Sequence, residues 1–480
     1  MDNLKEKTAQ GLFWSAINSG MTQVLNLVIG IFLARLLSPE DYGILGVLTV
    51  FTVIAGNLQS SGFTQGLINL KHPEANDYNS VFWFNILASL TIYAVLFFCA
   101  PLIAMFFHRP ELTALSRFVF LGFVISAFGI AQNAYMTKKM MNRQLATVSL
   151  AALIVSGTAG IAIAFSGYRY WSLAWQQIIY ISVLNAGRYL YSDWRPSWHI
   201  DFTPVRRMFG FSVKILATNI INTVGNNILT LVFGRLFPMK AVGNFTQAYK
   251  WDTMANSVVS GALSQVSQTV LVSAADNGDR ERRVFRKMMR FTAFLSFPVM
   301  FGLALVAEEF IVLTISDKWL GSVVLLRILC ISGAFMPFYT LYQNLAISSG
   351  RSDIYMWLNI VQIVLQIGVI LLFHPYGMTA MVVAYTVFFI IWLAVWQVYA
   401  RRFIGLGFAD TIRDIAPFMM TAAATMGITF MITKNMGSPA MVLPARIVIA
   451  AALYAGTMKM IKSEMLDECT AFIFRKKKRT

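Results

Sequence analysis

GLFWSAINSGMTQVLNLVIGIFLARLLSPEDYG, residues 11–43, is written a second time in outline 200 positions later, as residues 211–243. Without a gap, Val24, Asn26, Arg35, Leu36 and Gly43 match Val224, Asn226, Arg235, Leu236 and Gly243; at the same offset Ala55, Ser60 and Gln65 match Ala255, Ser260 and Gln265. The polar pattern recurs as well. Asn18, Thr22 and Asn26 step by four through an otherwise apolar run, and Thr218, Asn222 and Asn226 do so at the same three places. Residues four apart share one helix face. Each copy therefore reads as an apolar helix with one polar stripe.

The composition says where such helices belong. Of 480 residues 57% are hydrophobic and only 13% charged, with a mean hydropathy of +0.62, too apolar and too thinly charged for a soluble multidomain protein. The chain reads as an all-α polytopic membrane protein. A net charge of +17 would point to nucleic acid in a soluble protein. Here the basic residues lie in short clusters between apolar runs, the pattern that orients membrane helices, so no nucleic-acid partner is expected. Cys99, Cys330 and Cys469 are scattered, as are His72, His108, His199 and His374. Neither a disulfide framework nor a metal site follows from that spacing, and no cofactor is expected.

Runs long enough to span about 30 Å of hydrocarbon fall near residues 11–36, 43–68, 80–106, 113–135, 145–166, 170–190, 209–236, 243–272, 291–315, 323–347, 355–374, 378–399, 415–433 and 440–461. The expectation is about 14 transmembrane helices. The first run is longer than a secretory h-region and has no small-residue cleavage pattern, so it reads as a retained helix. With a cytoplasmic N-terminus, one set of connections plus both termini holds about 27 of the 39 Lys and Arg, an excess that places both ends inside. Arg109, Arg169, Lys240, Lys318 and Lys434 fall on the other side, where every connection is too short to fold into a catalytic module.

Beyond Gln265 the offset becomes 210, pairing Leu115 with Leu325, Arg117 with Arg327, Gly167 with Gly377 and Ala174 with Ala384. Two six-helix lobes result, and because six is even they are parallel repeats rather than inverted ones. The expected organisation is an N-terminal lobe over 1–190, a cytoplasmic interlobe linker over 191–208, a C-terminal lobe over 209–408, and an extra helix pair with a basic tail over 409–480. The linker is rich in Arg and Trp, with Pro196 and Pro204 breaking helix. Trp194 and Trp198 read as membrane-interface anchors, and the tail from Arg475 to Arg479 as a polybasic run on an anionic leaflet.

The opening GLFWSAINSGMTQVLNLVIGIFLARLLSPEDYGILGVLTVF, the later SGFTQGLI and VFWFNI, APLIAMFF followed by PEL, and GRSD at Gly350 to Asp353 resemble bacterial polysaccharide flippases of the Wzx type. That family sits in the superfamily that also holds multidrug extruders and lipid II flippases. The resemblance runs through nearly the whole chain, and LARLLSPEDYG is its most specific part. It implies movement of undecaprenyl-pyrophosphate-linked oligosaccharide from the inner to the outer leaflet of the bacterial plasma membrane, for surface polysaccharide assembly. It also implies a V-shaped pair of six-helix bundles with helices one, two, seven and eight lining the cavity. The expected partners are the lipid-linked oligosaccharide, membrane lipids and other polysaccharide assembly proteins. An ion-coupled multidrug exporter is the alternative within the superfamily. A membrane glycan polymerase or ligase is the alternative outside it, and the short outer connections speak against that enzyme.

Such a load asks for buried cations against phosphate and for amides and hydroxyls against sugar. Ionisable residues inside a membrane cost about 2.5–3.5 kcal/mol each, so each is a functional candidate; here they are Arg35, Arg117, Lys214, Arg235, Lys250, Asp252, Glu308, Glu309, Arg327 and Arg446. Lys214, one turn before Thr218, adds a cation to the second stripe, with snorkelling as its bland reading. The substrate-binding candidates are Lys214, Lys250, Asn18, Thr22, Asn26, Thr218, Asn222, Asn226, Arg35 and Arg235, and the ion-coupling candidate is Asp252. Helix two adds Asn57, Gln59, Ser60, Thr64 and Gln65, and helix eight Asn256, Ser257, Ser260, Ser264 and Gln265. Lys250 and Asp252, two apart, point to different sides and are not expected to pair. Arg35 and Arg235 read either as a gate or as caps on helix C-termini. Arg117, Arg327 and Arg446 read as snorkelling cations, and Glu308 and Glu309 as facing headgroups.

Overall fold

The computed structural model describes residues 2–70, 72–206, 223, 225, 227–274, 278–461, 463 and 465–468. Every regular element among them is helical, as expected where an apolar solvent leaves the backbone no partner but itself. In chain order they are α1 (Asp2–Leu36), α2 (Pro39–Asn69), α3 (Ala75–Phe106), α4 (Leu112–Ala127), α5 (Ile130–Lys138), α6 (Asn142–Phe165) and α7 (Trp171–Tyr191). Next come α8 (Asn227–Leu236), α9 (Met239–Ala274), α10 (Gly278–Ile315), α11 (Gly321–Ser348), α12 (Ser352–Leu372), α13 (Gly377–Ile404), α14 (Phe408–Thr433) and α15 (Pro439–Met460).

Nine helices among the described residues are long and apolar enough to cross a membrane. The run near 113–135 is the bent pair α4 and α5, which turn by 43° and make a tenth crossing if taken together. The runs near 43–68, 170–190 and 243–272 fall on α2, α7 and α9. The run near 209–236 is described only as α8. By packing, the chain divides into a first unit, Met1–Gly243, and a second, Asn244–Thr480.

In the first unit, the SPEDYG stretch is a helix start. Ser38 is the N-cap of α2: its hydroxyl accepts from the Asp41 amide at 3.2 Å, and the Asp41 carboxylate accepts from the Ser38 amide at 2.9 Å. This reciprocal arrangement, with Pro39 at the first helical position, satisfies donors that a helix start otherwise leaves open. The Asp41 carboxylate also takes an ion pair from Arg169 at 3.1 Å. Two turns of backbone meet at the next step. A Cβ on Gly43 would lie 2.0 Å from the Met239 carbonyl oxygen, and a Cβ on Gly243 would lie 1.6 Å from that of Pro39. The pairs 43 and 243, and 39 and 239, carry the repeat offset, so the contact is reciprocal.

Residues 192–206 lie along the start of α3. Trp83 donates from Nε1 to the Ser197 carbonyl at 2.8 Å, the Ser197 amide donates to Asn79 Oδ1 at 2.9 Å, and Asn76 donates to Asp201 Oδ2 at 2.9 Å. The Asn79 amide and the Ser80 hydroxyl reach the carbonyls of His199 and Asp201. The amide and hydroxyl of Thr203, together with Asn76, hold the Asp201 carboxyl down to about 2. Trp194 is 8% exposed and packs on Tyr78 and Phe82, with ring centroids at 5.9 and 6.0 Å. This corrects its reading as an interface anchor: it plugs the cluster formed by Leu67, Phe82, Ile86 and Ala131. Trp198 is exposed and lies against Trp83.

Five prolines sit inside helices among the described residues, Pro101, Pro298, Pro337, Pro417 and Pro444, and a proline removes the N–H that would bond the carbonyl four residues back. The first three share one arrangement, in which a side chain from another helix takes that carbonyl. Pro101 frees Phe97, whose oxygen accepts from Arg117 Nε at 3.3 Å. Pro298 frees Phe294, which accepts from the Tyr454 hydroxyl at 3.0 Å. Pro337 frees Gly333, which accepts from Asn256 Nδ2 at 2.9 Å. Arg117 therefore does not simply snorkel. Its guanidinium also lies 4.1 Å from the Phe97 ring centroid, and its repeat mate Arg327 instead pairs with Glu308 at 3.1 Å.

In the second unit, α14 and α15 are fastened to α10 at both ends. Arg282 pairs with Asp410 at 2.8 Å, and Arg286 grips Asp414 through Nε at 2.6 Å and Nη2 at 3.1 Å. Towards the other end, Arg446 is 6% exposed and pairs with Glu309 at 2.8 Å, while donating to the Leu305 carbonyl at 3.0 Å and to Thr433 Oγ1 at 3.1 Å. The snorkelling reading of Arg446 and the headgroup reading of Glu309 both give way to this buried pair. Hydrogen bonds to the remaining guanidinium protons offset the cost of burying it.

Candidate functional site

The first polar stripe lies on α1, one continuous helix from Asp2 to Leu36, so Asn18, Thr22 and Asn26 fall on one face. All three are half-buried. Asn18 Oδ1 and Thr22 Oγ1 find no hydrogen-bond partner among the described residues. An amide and a hydroxyl without partners inside an apolar helix are chemically available to a hydroxylated ligand. The second stripe, Thr218, Asn222 and Asn226, and the cation Lys214 lie outside the described residues.

Arg35 is exposed in the last turn of α1, where a cation complements the helix C-terminus. Arg235 does something more specific. Its Nη1 lies 2.8 Å from His108 Nδ1 and its guanidinium 5.4 Å from the Phe106 ring centroid. A guanidinium only donates, so His108 must accept through Nδ1 and carry any single proton on Nε2.

α9 carries four buried polar groups within its first half. Asn244, Gln247, Asp252 and Asn256 are 8%, 0%, 4% and 4% exposed. Asp252 packs against α11 at Gly333: a Cβ there would lie 2.4 Å from Asp252 Oδ1, so the carboxylate would have to shift. One turn on, Asn256 holds the Gly333 carbonyl and accepts from the Ser260 hydroxyl at 2.6 Å. Asp252 Oδ1, Asn244 Oδ1 and both polar atoms of Gln247 have no hydrogen-bond partner among the described residues. Lys250 is half-buried on another side of α9, its ammonium 5.6 Å from the Trp251 ring centroid. Lys250 and Asp252 form no salt bridge with each other, as their spacing predicts.

Asn244, Gln247 and the freed carbonyl of Gly333 escaped the sequence reading. A signal was available in the repeat itself. At the offset of 200, Asn244, Gln247, Lys250, Asp252 and Asn256 align with Ile44, Val47, Val50, Thr52 and Gly56. The polar surplus thus belongs to the second copy, and a position-by-position subtraction of the copies isolates it. Ser60, Thr64, Gln65, Ser264 and Gln265 have side chains outside the described residues, as do Asn57 and Gln59. Among the described residues no three His, Cys, Asp or Glu side chains come together as a metal site would require.

Comparison with known proteins places this geometry. The chain is 25% identical over 376 residues to the lipopolysaccharide biosynthesis protein WzxC of Escherichia coli (strain K12), covering 77% of this chain and 76% of that one. Its fold resembles that of the lipid II flippase MurJ in an inward closed conformation, with a TM-score of 0.75 at 12% identity over 94% of this chain and 99% of the other. It also resembles an inward-facing multidrug resistance transporter of the MATE family, with a TM-score of 0.65 at 16% identity over 80% of this chain and 94% of that one. Residues 32–324 match the family described as polysaccharide biosynthesis protein. That stretch is more than half of the sequence and contains the α2 capping box, the reciprocal glycines and the α9 polar face, and the chain belongs to the polysaccharide biosynthesis protein family.

Proposed function

We propose that this protein is a flippase for a lipid-linked oligosaccharide, carried on undecaprenyl pyrophosphate, that moves from the inner to the outer leaflet of the bacterial plasma membrane by alternating access of its two six-helix lobes, with both termini in the cytoplasm. It transports its substrate without transforming it. The observation that carries the reading is a helix, α1, whose stretch Asn18–Leu36 is apolar enough to cross a membrane yet presents Asn18 and Thr22 with polar atoms that find no partner among the described residues, inside a chain related to a lipopolysaccharide biosynthesis protein. Amides and hydroxyls meet the sugars, and the polyprenyl tail stays in the bilayer. Lys214 and Lys250 meet the pyrophosphate, for which an ammonium serves as a point charge.

Asp252 is the group we assign to ion coupling. A buried carboxyl among helices is expensive when charged and inexpensive when protonated, so its charge state and the packing of α9 on α11 at Gly333 are tied together. The organisation into lobes 1–190 and 209–408, joined by the 191–208 linker and followed by 409–480, belongs to the same proposal, as does action beside other polysaccharide assembly proteins.

The test is export in cells. A strain lacking the protein should accumulate lipid-linked oligosaccharide on the cytoplasmic face, identified by mass analysis, and the wild-type chain should clear it. Lys214→Ala and Lys250→Ala should each slow clearance at unchanged protein abundance, and Asp252→Asn should leave residual transport that no longer responds to the ion gradient. Normal export in both lysine variants and in their double mutant would remove the cation assignment. A strain that accumulates no such lipid would remove the flippase reading altogether.

A further inference from the structure

Between α11, α13 and α14 the second unit contains a cleft of about 260 Å3. Its walls are carbon: Phe338, Leu393, Ile412, Ile415 and Met419. Three polar side chains also line it, and all are already engaged. Gln397 donates from Nε2 to the Leu406 carbonyl at 2.9 Å and to the Gly407 carbonyl at 3.2 Å, its Oε1 accepts from the Tyr342 hydroxyl at 2.6 Å, and the Thr411 hydroxyl donates to the Gly407 carbonyl at 3.3 Å. Every N–H and O–H of the three is committed, so an occupant finds no free donor there. The cleft offers almost only hydrocarbon contact, which selects a chain over a sugar, a nucleotide or an anion.

Charge is supplied at one end. On α13 the lining positions Ile390, Leu393, Ala394 and Gln397 step by three and four along one face, and the next step is Arg401. Arg401 is exposed in the last turn of α13 and makes no ion pair among the described residues. The acids at that end are occupied: Asp410 pairs with Arg282, and Asp414 with Arg286 and Arg290. Arg402 and Arg413 are exposed as well. The apolar cleft therefore runs out at a cationic rim with its carboxylates already neutralised, a layout complementary to a molecule with an apolar chain and an anionic head.

We infer that this cleft seats one acyl chain of an anionic glycerophospholipid whose phosphate rests on Arg401. The site is separate from the proposed cavity residues on α1 and α9, and its test does not depend on transport or on which way the protein faces. The full-length protein is reconstituted into phosphatidylcholine vesicles containing phosphatidylglycerol with a photoactivatable diazirine in one acyl chain, and in parallel into vesicles with diazirine-labelled phosphatidylcholine. Cross-links are mapped by mass spectrometry. Phosphatidylglycerol should label Ile412, Ile415 and Leu393 several-fold more than phosphatidylcholine, and Arg401→Gln should bring it down to the phosphatidylcholine level. Ala416→Trp, which fills the cleft, should remove the labelling by either lipid. Equal labelling by the two lipids, or labelling unchanged in Arg401→Gln, overturns the site. Labelling displaced by polyprenyl phosphate but not by unlabelled phosphatidylglycerol would assign the cleft to a polyprenyl chain and overturn it equally. Arg401 is exposed, so Arg401→Gln keeps the test decisive should Ala416→Trp fail to fold.

Discussion

Arg446 shows how a charge becomes acceptable deep among helices. Its guanidinium has Glu309, a hydroxyl and a backbone carbonyl as partners, so removing either charge strands the other. Arg446→Ala or Glu309→Ala should destabilise the second unit by about 3–5 kcal/mol. The pair Arg446→Met with Glu309→Leu should recover most of that loss, because two apolar groups strand nothing. Thermal unfolding of the purified variants in detergent checks both outcomes, and single variants as stable as the wild type would show that the pair is solvated. The sequence marks Arg446, Glu309 and Arg117 as costly but cannot name their partners, since Glu309 lies 137 residues away. The cost of Asp252 is legible to the same limit: it is local, whereas Gly333, against which it packs, is on another helix.

At the level of elements, the prolines make a sharper prediction. If Asn256 is needed because Pro337 leaves the Gly333 carbonyl bare, Asn256→Ala should cost about 1–3 kcal/mol. In a Pro337→Ala background, where residue 337 again has an N–H to give, the same substitution should cost little. A double-mutant cycle on unfolding measures the coupling, and additive effects would mean that the two residues act independently. Gly43 and Gly243 give a second case. Gly43→Ala places a carbon 2.0 Å from a backbone oxygen that no rotamer can move, so α2 and α9 must part at their starts. Lower thermal stability and loss of lipid-linked oligosaccharide export are the expected results, and a Gly43→Ala protein with wild-type stability and export would show that the contact yields freely. Helix positions were largely readable, because an apolar run about 20 residues long has few other uses. The bend after Ala127 was not, since nothing in the composition of 113–135 departs from a straight span.

For the whole molecule, orientation is the expectation with the most leverage, because the basic loops determine which leaflet each site serves. Single cysteines placed at Arg283 and at Lys318 should react with a membrane-impermeant maleimide from opposite sides, the first only after the cytoplasmic face is opened. Labelling at 283 but not at 318 in intact cells would reverse the topology. The offset of 200 is read from the sequence alone, and its second stripe lies outside the described residues; the inequality of the two stretches shows where α9 buries Asn244, Gln247, Asp252 and Asn256. The reciprocal glycines add a constraint of a historical kind. At the offset of 200 the two stretches differ at most positions. At 43 and 243, however, each copy blocks the other's side chain with its own main chain. Neither position can accept a larger residue until the opposite helix has shifted, and that makes this spot the joint at which the two copies must keep evolving in step.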